Sequence, residues 1–281
     1  MPQNIILSII IAIFFASVLS IRLAGAIFDK KIRREVDDLL AESPLPPGKA
    51  FSYEDLEGLP EPVQRYLKRS IKEGQKAPRN VELKHVGKFR TKMDQRWMPI
   101  EGEEHFAVAE PGFVWRGRLK VAPLVWIEAR DCYRKGFGNM LIKLFSAITI
   151  ADSQSEEMDQ SSLLRWLSEI AWNPGALIAC DRLSWDAIDS GSAKATVQDG
   201  KLKATATFYF DEEGKVTKVV SNDKFRYVDG KFLKGIWTGL YGDYRECGGF
   251  LVPFEAEAIW NLEEGDFSYA RFEVTEVDYG R

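Results

Sequence analysis

From Ala193 onward the chain alternates apolar and polar residues with a period of two. Short glycine turns interrupt the pattern at Asp199-Gly200, Glu212-Glu213-Gly214, Asp229-Gly230 and Glu264-Gly265. Side chains on a strand alternate between faces, and glycine supplies the positive φ of a tight hairpin. Such a chain is confined to an antiparallel meander. Its apolar faces are Ala193, Ala195 and Val197, then Leu202 to Phe210 at every second position. Phe254, Ala256, Ala258 and Trp260 continue the series, against Glu255, Glu257 and Ile259 on the other side. Leu233, Gly235, Trp237, Gly239 and Tyr241 form a glycine-laced face that bends a strand or admits a ligand, and Pro253 marks an edge or a bulge.

The same period appears earlier. Val81, Leu83, His85, Gly87 and Phe89 share a face, as do Phe113, Trp115, Gly117, Leu119 and Val121. Val125, Ile127, Ala129, Asp131 and Tyr133 share another. His85 therefore reads as a satisfied core histidine. Asp131 is a carboxylate on an apolar face, which needs a partner or takes up a proton. It is a structural anchor or a functional acid. Met140 to Ile150 reads as a strand pair or one buried strand.

One stretch breaks the β pattern. Leu163 to Ile178, LLRWLSEIAWNPGALI, carries the helical stripe Leu163, Leu164, Leu167, Ile170 and Ala171. It is expected as a helix over 160–173, capped by Asp159 or a nearby serine and stopped at Asn173-Pro174. Arg165 and Glu169 are placed to pair at i, i+4. Trp166, Glu169 and Trp172 lie at the margins of the stripe. The helix is expected to plug or lid the sheet.

The N-terminus is of another kind. Ile5 to Ile21 is apolar apart from three serines, then Arg22 and Leu23 to Phe28 follow. That length crosses a bilayer as a helix, with Arg22 snorkelling to the interface. A cleaved signal peptide competes, with Ala24-Gly25-Ala26 as cleavage site, but the leading MPQN has no Lys or Arg. No cysteine near the run supports lipoprotein processing. Lys30, Lys31, Arg33 and Arg34 follow the run, so the positive-inside rule puts the globular part in the cytoplasm. An extracytoplasmic or secreted domain, cleaved near Ala26, is the alternative. The expected organisation is an anchor over 1–28, juxtamembrane helices and a proline-rich linker over 29–80, and one β-rich domain over 81–281. Phe28 to Glu42 reads as a short helix, Ser43 to Gly48 as a stiff linker, and Glu61-Pro62 as the start of a second helix.

Composition excludes several classes. A net charge of -4 with only short basic clusters argues against nucleic acid. Three scattered cysteines and two histidines supply no disulfide framework and no metal site. No GxSxG elbow, phosphate loop, dinucleotide fingerprint or HExxH occurs, and no cofactor is indicated. An enzyme would have to work through carboxyl groups such as Asp131, Glu169, Glu255 and Glu257.

EPVQRYLKRSI, PGFVWRGRL, DCYRKGFGNM and the LLRWLSEIAWNPGALI helix, then W-x-x-I-D with Ala193 and Ala195, then Trp237, Tyr244, Pro253, Trp260 and Tyr269, together resemble an uncharacterised bacterial family of unknown function. The resemblance covers roughly residues 60 to 278. It brings no activity. Its layout is similar to the lipoprotein-carrier half-barrel, which implies an α+β fold, mostly antiparallel β. A large curved sheet would have helices on or plugging its concave side, after one N-terminal transmembrane helix. The function expected is a membrane-anchored binding protein holding a lipid or other apolar ligand between the sheet and the 160–173 helix. Trp115, Tyr133, Trp166, Glu169, Trp172, Trp237 and Trp260 are the candidate ligand-binding residues. A hydrolase using Asp131 or Glu169, or a membrane-tethered scaffold for a protein partner, are the alternatives.

Overall fold

The computed structural model describes residues 3–46, 48 and 50–280. Met1 and Pro2 of the leading segment and Pro47 of the expected linker lie outside the described residues. Thirteen strands form one sheet, in the order β6-β5-β4-β3-β2-β1-β13-β12-β11-β10-β9-β8-β7. Strands β1 (Asn80–Phe89), β2 (Met98–Ala107), β3 (Gly112–Ala122), β4 (Val125–Arg134), β5 (Phe137–Leu144) and β6 (Ile148–Ser153) step outward to one free edge. The chain then crosses the concavity and restarts at the other edge. From there β7 (Leu183–Asp189), β8 (Ser192–Asp199), β9 (Leu202–Phe210), β10 (Val216–Val228), β11 (Lys231–Cys247), β12 (Phe250–Leu262) and β13 (Gly265–Gly280) step back to the middle. An antiparallel ladder of β1 with β13 joins the two meanders into a half-barrel.

The crossing segment is helix α3 (Glu156–Ser168), continued by a 3-10 turn, Glu169–Trp172, and a short helix α4 (Ala176–Ala179). The helix begins earlier than its apolar stripe. Ser155 caps it by accepting from the Met158 N–H, while Asp159 instead accepts from the Gly138 N–H at 2.6 Å. Its stripe is fully buried, and so is Trp166 at 1% exposure. Asp159 thus holds the helix to β5 of the first meander, and two bonds hold it to the second: Ser161 Oγ accepts from Phe225 N–H on β10, and Gln160 donates to the Lys203 carbonyl on β9. Around the following turn, Tyr241 donates to the Ser168 carbonyl, Tyr279 to that of Trp172, and the Trp172 indole to that of Pro253. Pro253 sits in the part of β12 that pairs with β11 but not with β13, where a missing N–H costs no ladder bond.

Helix α1 (Gln3–Glu42) is continuous, where a span and a separate short helix were expected. Its first part is long and apolar enough to cross a bilayer, a property it shares with signal sequences. Its last part packs on the convex face, where Phe28, Ile32 and Leu39 bury against Ala107, Val114 and Leu141. Five ion pairs among the described residues flank that contact: Asp29 with Arg116, Glu35 with Arg130 at 3.1 Å, Asp38 with Arg134, and Glu42 with Arg134 and Lys135. Val114, Arg116 and Arg130 sit there because they alternate with Phe113, Trp115 and Asp131 on the concave side. Helix α2 (Glu61–Ser70) buries Val63, Tyr66 and Leu67 in the main core.

The seating of α3 depends on Gly138. A Cβ there would stand 2.6 Å from Ser162 Oγ and 2.8 Å from the Met158 carbonyl oxygen. Gly138→Ala should therefore push the helix off β5 and lower unfolding stability by about 1–3 kcal/mol, the usual range for overpacking. A denaturant midpoint unchanged from wild type would refute this seating.

Candidate functional site

At the centre of the concave face a single guanidinium holds three carboxyl groups. Arg165 donates to Asp131 Oδ2 on β4, Glu104 Oε1 on β2 and Glu169 Oε1 one turn along its own helix, each at 2.9 Å. Its plane lies over the rings of Phe113 and Trp115, at 4.9 and 5.0 Å. Asp131 and Glu169, far apart in sequence, thus converge. Glu104 is a third carboxyl group that periodicity passed over. It lies on the Ile100, Gly102, Glu104, Phe106 face, an acid on an apolar face like Asp131, and that same signal would have found it. Glu255 and Glu257 alternate with concave residues and point away.

Glycines make room for the neighbouring rings. A Cβ at Gly117 would overlap the Trp115 indole, and one at Gly102 would lie 2.5 Å from His85 Nε2. Trp115 lies flat on its own strand and donates its indole N–H to His85 Nε2 at 2.9 Å. Burial, aided by the Arg165 charge, pushes the His85 pKa down to about 3. His85 is a neutral acceptor.

Burial pushes Glu104 well above the ordinary carboxyl range, with Arg165 opposing. Burial also raises Glu169, again against Arg165. The Glu169 carboxyl group beside it adds to the rise at Glu104, because two carboxylates at close range disfavour ionising together. Asp131 Oδ1 has no hydrogen-bond partner among the described residues. Lys224 stands next to this group. Burial, then the Arg165 charge, brings its pKa down to about 8, and its Nζ lies 4.6 Å over the Trp237 ring. Sequence periodicity missed Lys224 because the register of β10 shifts between Ser221 and Lys224.

Beyond Lys224 a second aromatic cluster begins: Trp237, Trp260 and Phe267, with Ala258, Leu262 and Tyr269 packed against it. It lies apart from the main core. Tyr269 accepts the Trp237 indole N–H at 3.0 Å. The cations over it are Lys224 and Arg90, the latter 5.5 Å above Phe267. Tyr133 and Trp166 are instead buried in the main core, with the Tyr133 hydroxyl donating to Asp199 at 2.7 Å. Trp172 packs edge-on against Tyr241.

Two recesses with charged walls open elsewhere. One of about 340 Å³ lies where Lys84, Glu101, Glu103, Arg116, Arg118 and Glu128 meet, beside Asp29 of α1. The other, of about 440 Å³, includes Lys88, Glu255, Glu257, Arg271 and Glu273. Among the described residues, no group of three His, Cys, Asp or Glu is placed to hold a metal ion.

A family model described as a family of unknown function, DUF6544, matches residues 49–272. No curated protein matches the sequence. Solved structures with similar folds include a LolA superfamily protein from Nitrosomonas europaea, 11% identical over 83% of this chain and 94% of that one, at a TM-score of 0.38. A DUF1329 family protein from Desulfovibrio piger is 8% identical over 78% of this chain and 93% of that one, at 0.41. A β-barrel-like DUF1849 protein from Brucella abortus is 8% identical over 73% and 99%, at 0.23.

Two outcomes follow from the ion cluster. Arg165→Met strands three acidic groups around one lost countercharge. Urea unfolding should show a loss of about 3–5 kcal/mol, and Arg165→Lys should recover little, since an ammonium cannot match the guanidinium fork. A loss within experimental error would mean that the tie is dispensable.

The second outcome concerns pH. The Glu104 pKa is higher folded than unfolded, so its contribution is complete below about pH 4.5 and is lost as pH rises through the folded value. Lys224, at about 8 folded against 10.5 unfolded, acts in the other direction, and stability recovers between those two values. Between pH 5 and pH 7.5 the wild-type melting temperature should fall, and that of Glu104→Gln should fall less. Parallel pH profiles would place the proton elsewhere.

Proposed function

For a chain that belongs to the DUF6544 family of unknown function, we propose a membrane-anchored binding protein whose half-barrel holds a lipid or other apolar ligand. The site is the concave surface at the end of the 160–173 segment. Trp237 and Trp260 form its wall, Glu169 and Trp115 flank its polar end, and Tyr133, Trp166 and Trp172 hold the helix and sheet behind it.

The observation that carries this reading is the covering of the second aromatic cluster. The main core lies under α3, but cations on long stems, Lys224 and Arg90, stand over Trp237 and Phe267. Such side chains cover apolar surface with their methylenes and can swing away. Large aromatics under a movable cover are a surface for an apolar ligand, with the Arg165 cluster as the polar group that orients it. Register places this surface near the end of the sheet closest to the apolar part of α1. Phe267 pairs with Trp260, Ala270 with Phe89, Phe89 with Met98, and Ile100 with Leu119 near the β3–β4 turn. The anchor is α1, and the basic residues after its apolar run favour a cytoplasmic domain.

The test uses the full chain purified in detergent. Mass spectrometry of organic extracts should find a bound lipid, and a dansylated undecanoic acid should bind with transfer from tryptophan. Trp260→Ala should weaken that binding about tenfold, roughly 1.4 kcal/mol, measured below the variant's own lowered melting temperature. No extractable lipid, together with binding unaffected by Trp260→Ala, would end the proposal.

A second reading has one specific observation in its favour, the meeting of Asp131, Glu169 and Glu104. Buried carboxyl groups with raised pKa values serve as general acids. Ester, glycoside or phosphoester turnover that disappears in Glu169→Gln with the fold intact would favour a hydrolase. A blank screen would leave the cluster its structural role.

A further inference from the structure

We infer that the β3–β4 and β5–β6 hairpin tips are a second membrane contact, inserted into the bilayer beside α1. The inference rests on the anchored reading of α1 proposed above.

Distances along the two elements carry it. Strand β4 and helix α1 run side by side: Arg134 meets Glu42, Arg130 meets Glu35, and Glu128 reaches Asp29 through Arg116. From Arg134 to Glu128 the strand advances about 20 Å at roughly 3.3 Å per residue. From Glu42 to Asp29 the helix also advances about 20 Å, at roughly 1.5 Å per residue. The two therefore keep level. Leu124 lies about 13 Å further along the same direction, level with about residue 20 of the helix. That is inside the apolar run. Ser146 gives an independent fix: a Cβ at Gly25 would stand 3.9 Å from its Cβ. If α1 crosses the bilayer, these tips cannot stay in water.

Their chemistry suits that depth. Residues 121–127 and 144–151 contain no charged side chain, while Lys120 and Lys143 stand just behind them. Leu124 is 90% exposed and Ile148 is 60% exposed. Trp126, behind the tip, donates to Ser146 and stacks edge-on with Phe145, placing an indole where interfacial aromatics belong.

Backbone strain points the same way. Leu124 follows Pro123 with φ 63, the turn position where glycine or asparagine is usual, and Phe145 and Ser146 follow with φ 55 and 59. A branched side chain in left-handed backbone, contributing nothing to the core, makes no sense for folding alone. Moreover β6 is an edge strand carrying exposed Ile148 and Ile150, a combination that water-exposed sheets avoid. Contact of these side chains with lipid accounts for both, with the open backbone edge of β6 kept in the hydrated headgroup layer.

The test is photocrosslinking of the full chain in vesicles of phosphatidylethanolamine and phosphatidylglycerol. The photoreactive residue p-benzoylphenylalanine replaces Leu124 in one sample, Ile10 in a second and Phe137 in a third. Ile10 lies in the apolar run, and Phe137 is an equally exposed apolar residue at the opposite end of β5. All three sites are exposed, so the fold should survive. Lipid adducts at 10 and 124 in comparable yield, with none at 137, would support insertion. Adducts at 10 alone would overturn it and leave the anchor standing. Absence of adducts at both 10 and 124 would overturn the anchored reading and this inference with it.

Discussion

The fold depends on one guanidinium in the middle of its concave face. The chain builds six strands, leaves the sheet at one edge, and must restart at the other. The helix that makes this crossing could rest on the aliphatic floor in many ways, because burial alone is nondirectional. Arg165 removes that freedom. Its fork reaches β2 through Glu104 and β4 through Asp131, and it closes on its own helix through Glu169. Buried ion pairs add little net stability, since desolvation offsets attraction, but they penalise every other arrangement. Here three acids share one guanidinium, with the Lys224 ammonium beside them.

Much of this architecture is legible in residue order, and the reasons are local. Period two and glycine turns report directly on antiparallel strands, so the hairpins at Asp199-Gly200, Asp229-Gly230 and Glu264-Gly265 lie where the chain announces them. Asp131 was visible as an acid on an apolar face, and it does require a partner. The partner itself is not visible in the sequence, because helical spacing pairs Arg165 with Glu169 while its other bonds reach 34 and 61 residues away. Strand bulges conceal more. Lys224 follows a register shift, so counting by twos puts it on no definite face. The outer docking of α1 was equally hidden. Ile32 and Leu39 show an apolar stripe, but nothing local tells a stripe that meets a sheet from one that meets lipid.

The aromatics separate according to what covers them. Trp166 and Tyr133 lie under α3 among aliphatic residues, and the Tyr133 hydroxyl is spent on Asp199. They are the core that any β-rich domain of this size needs. Trp237 and Trp260 differ in neighbours rather than in burial. Ammonium and guanidinium groups stand over their cluster, and such groups are well solvated when displaced. Exposure alone does not distinguish a wall from a core; the cost of removing the cover does.

That distinction gains meaning from the way α1 is joined to the domain. The helix is continuous from its apolar run into the stretch held by Glu35, Glu42 and Asp29, so no hinge separates the two. On the anchored reading, strands parallel to such a helix stand roughly along the membrane normal. The ends of β3, β4, β5 and β6 beside the apolar run then face the bilayer. The register path from Leu119 through Ile100, Met98, Phe89 and Ala270 carries that level across the sheet to Phe267 and Trp260. On that reading Trp237, Trp260 and Phe267 and the cations over them face the lipid surface, while the packed crossing of α3 lies farther out. A ligand leaving the bilayer would meet Trp237 and Trp260 first and the charges of Arg165 behind them. This order suits an amphiphile only if its apolar part remains towards the membrane and its polar group enters first.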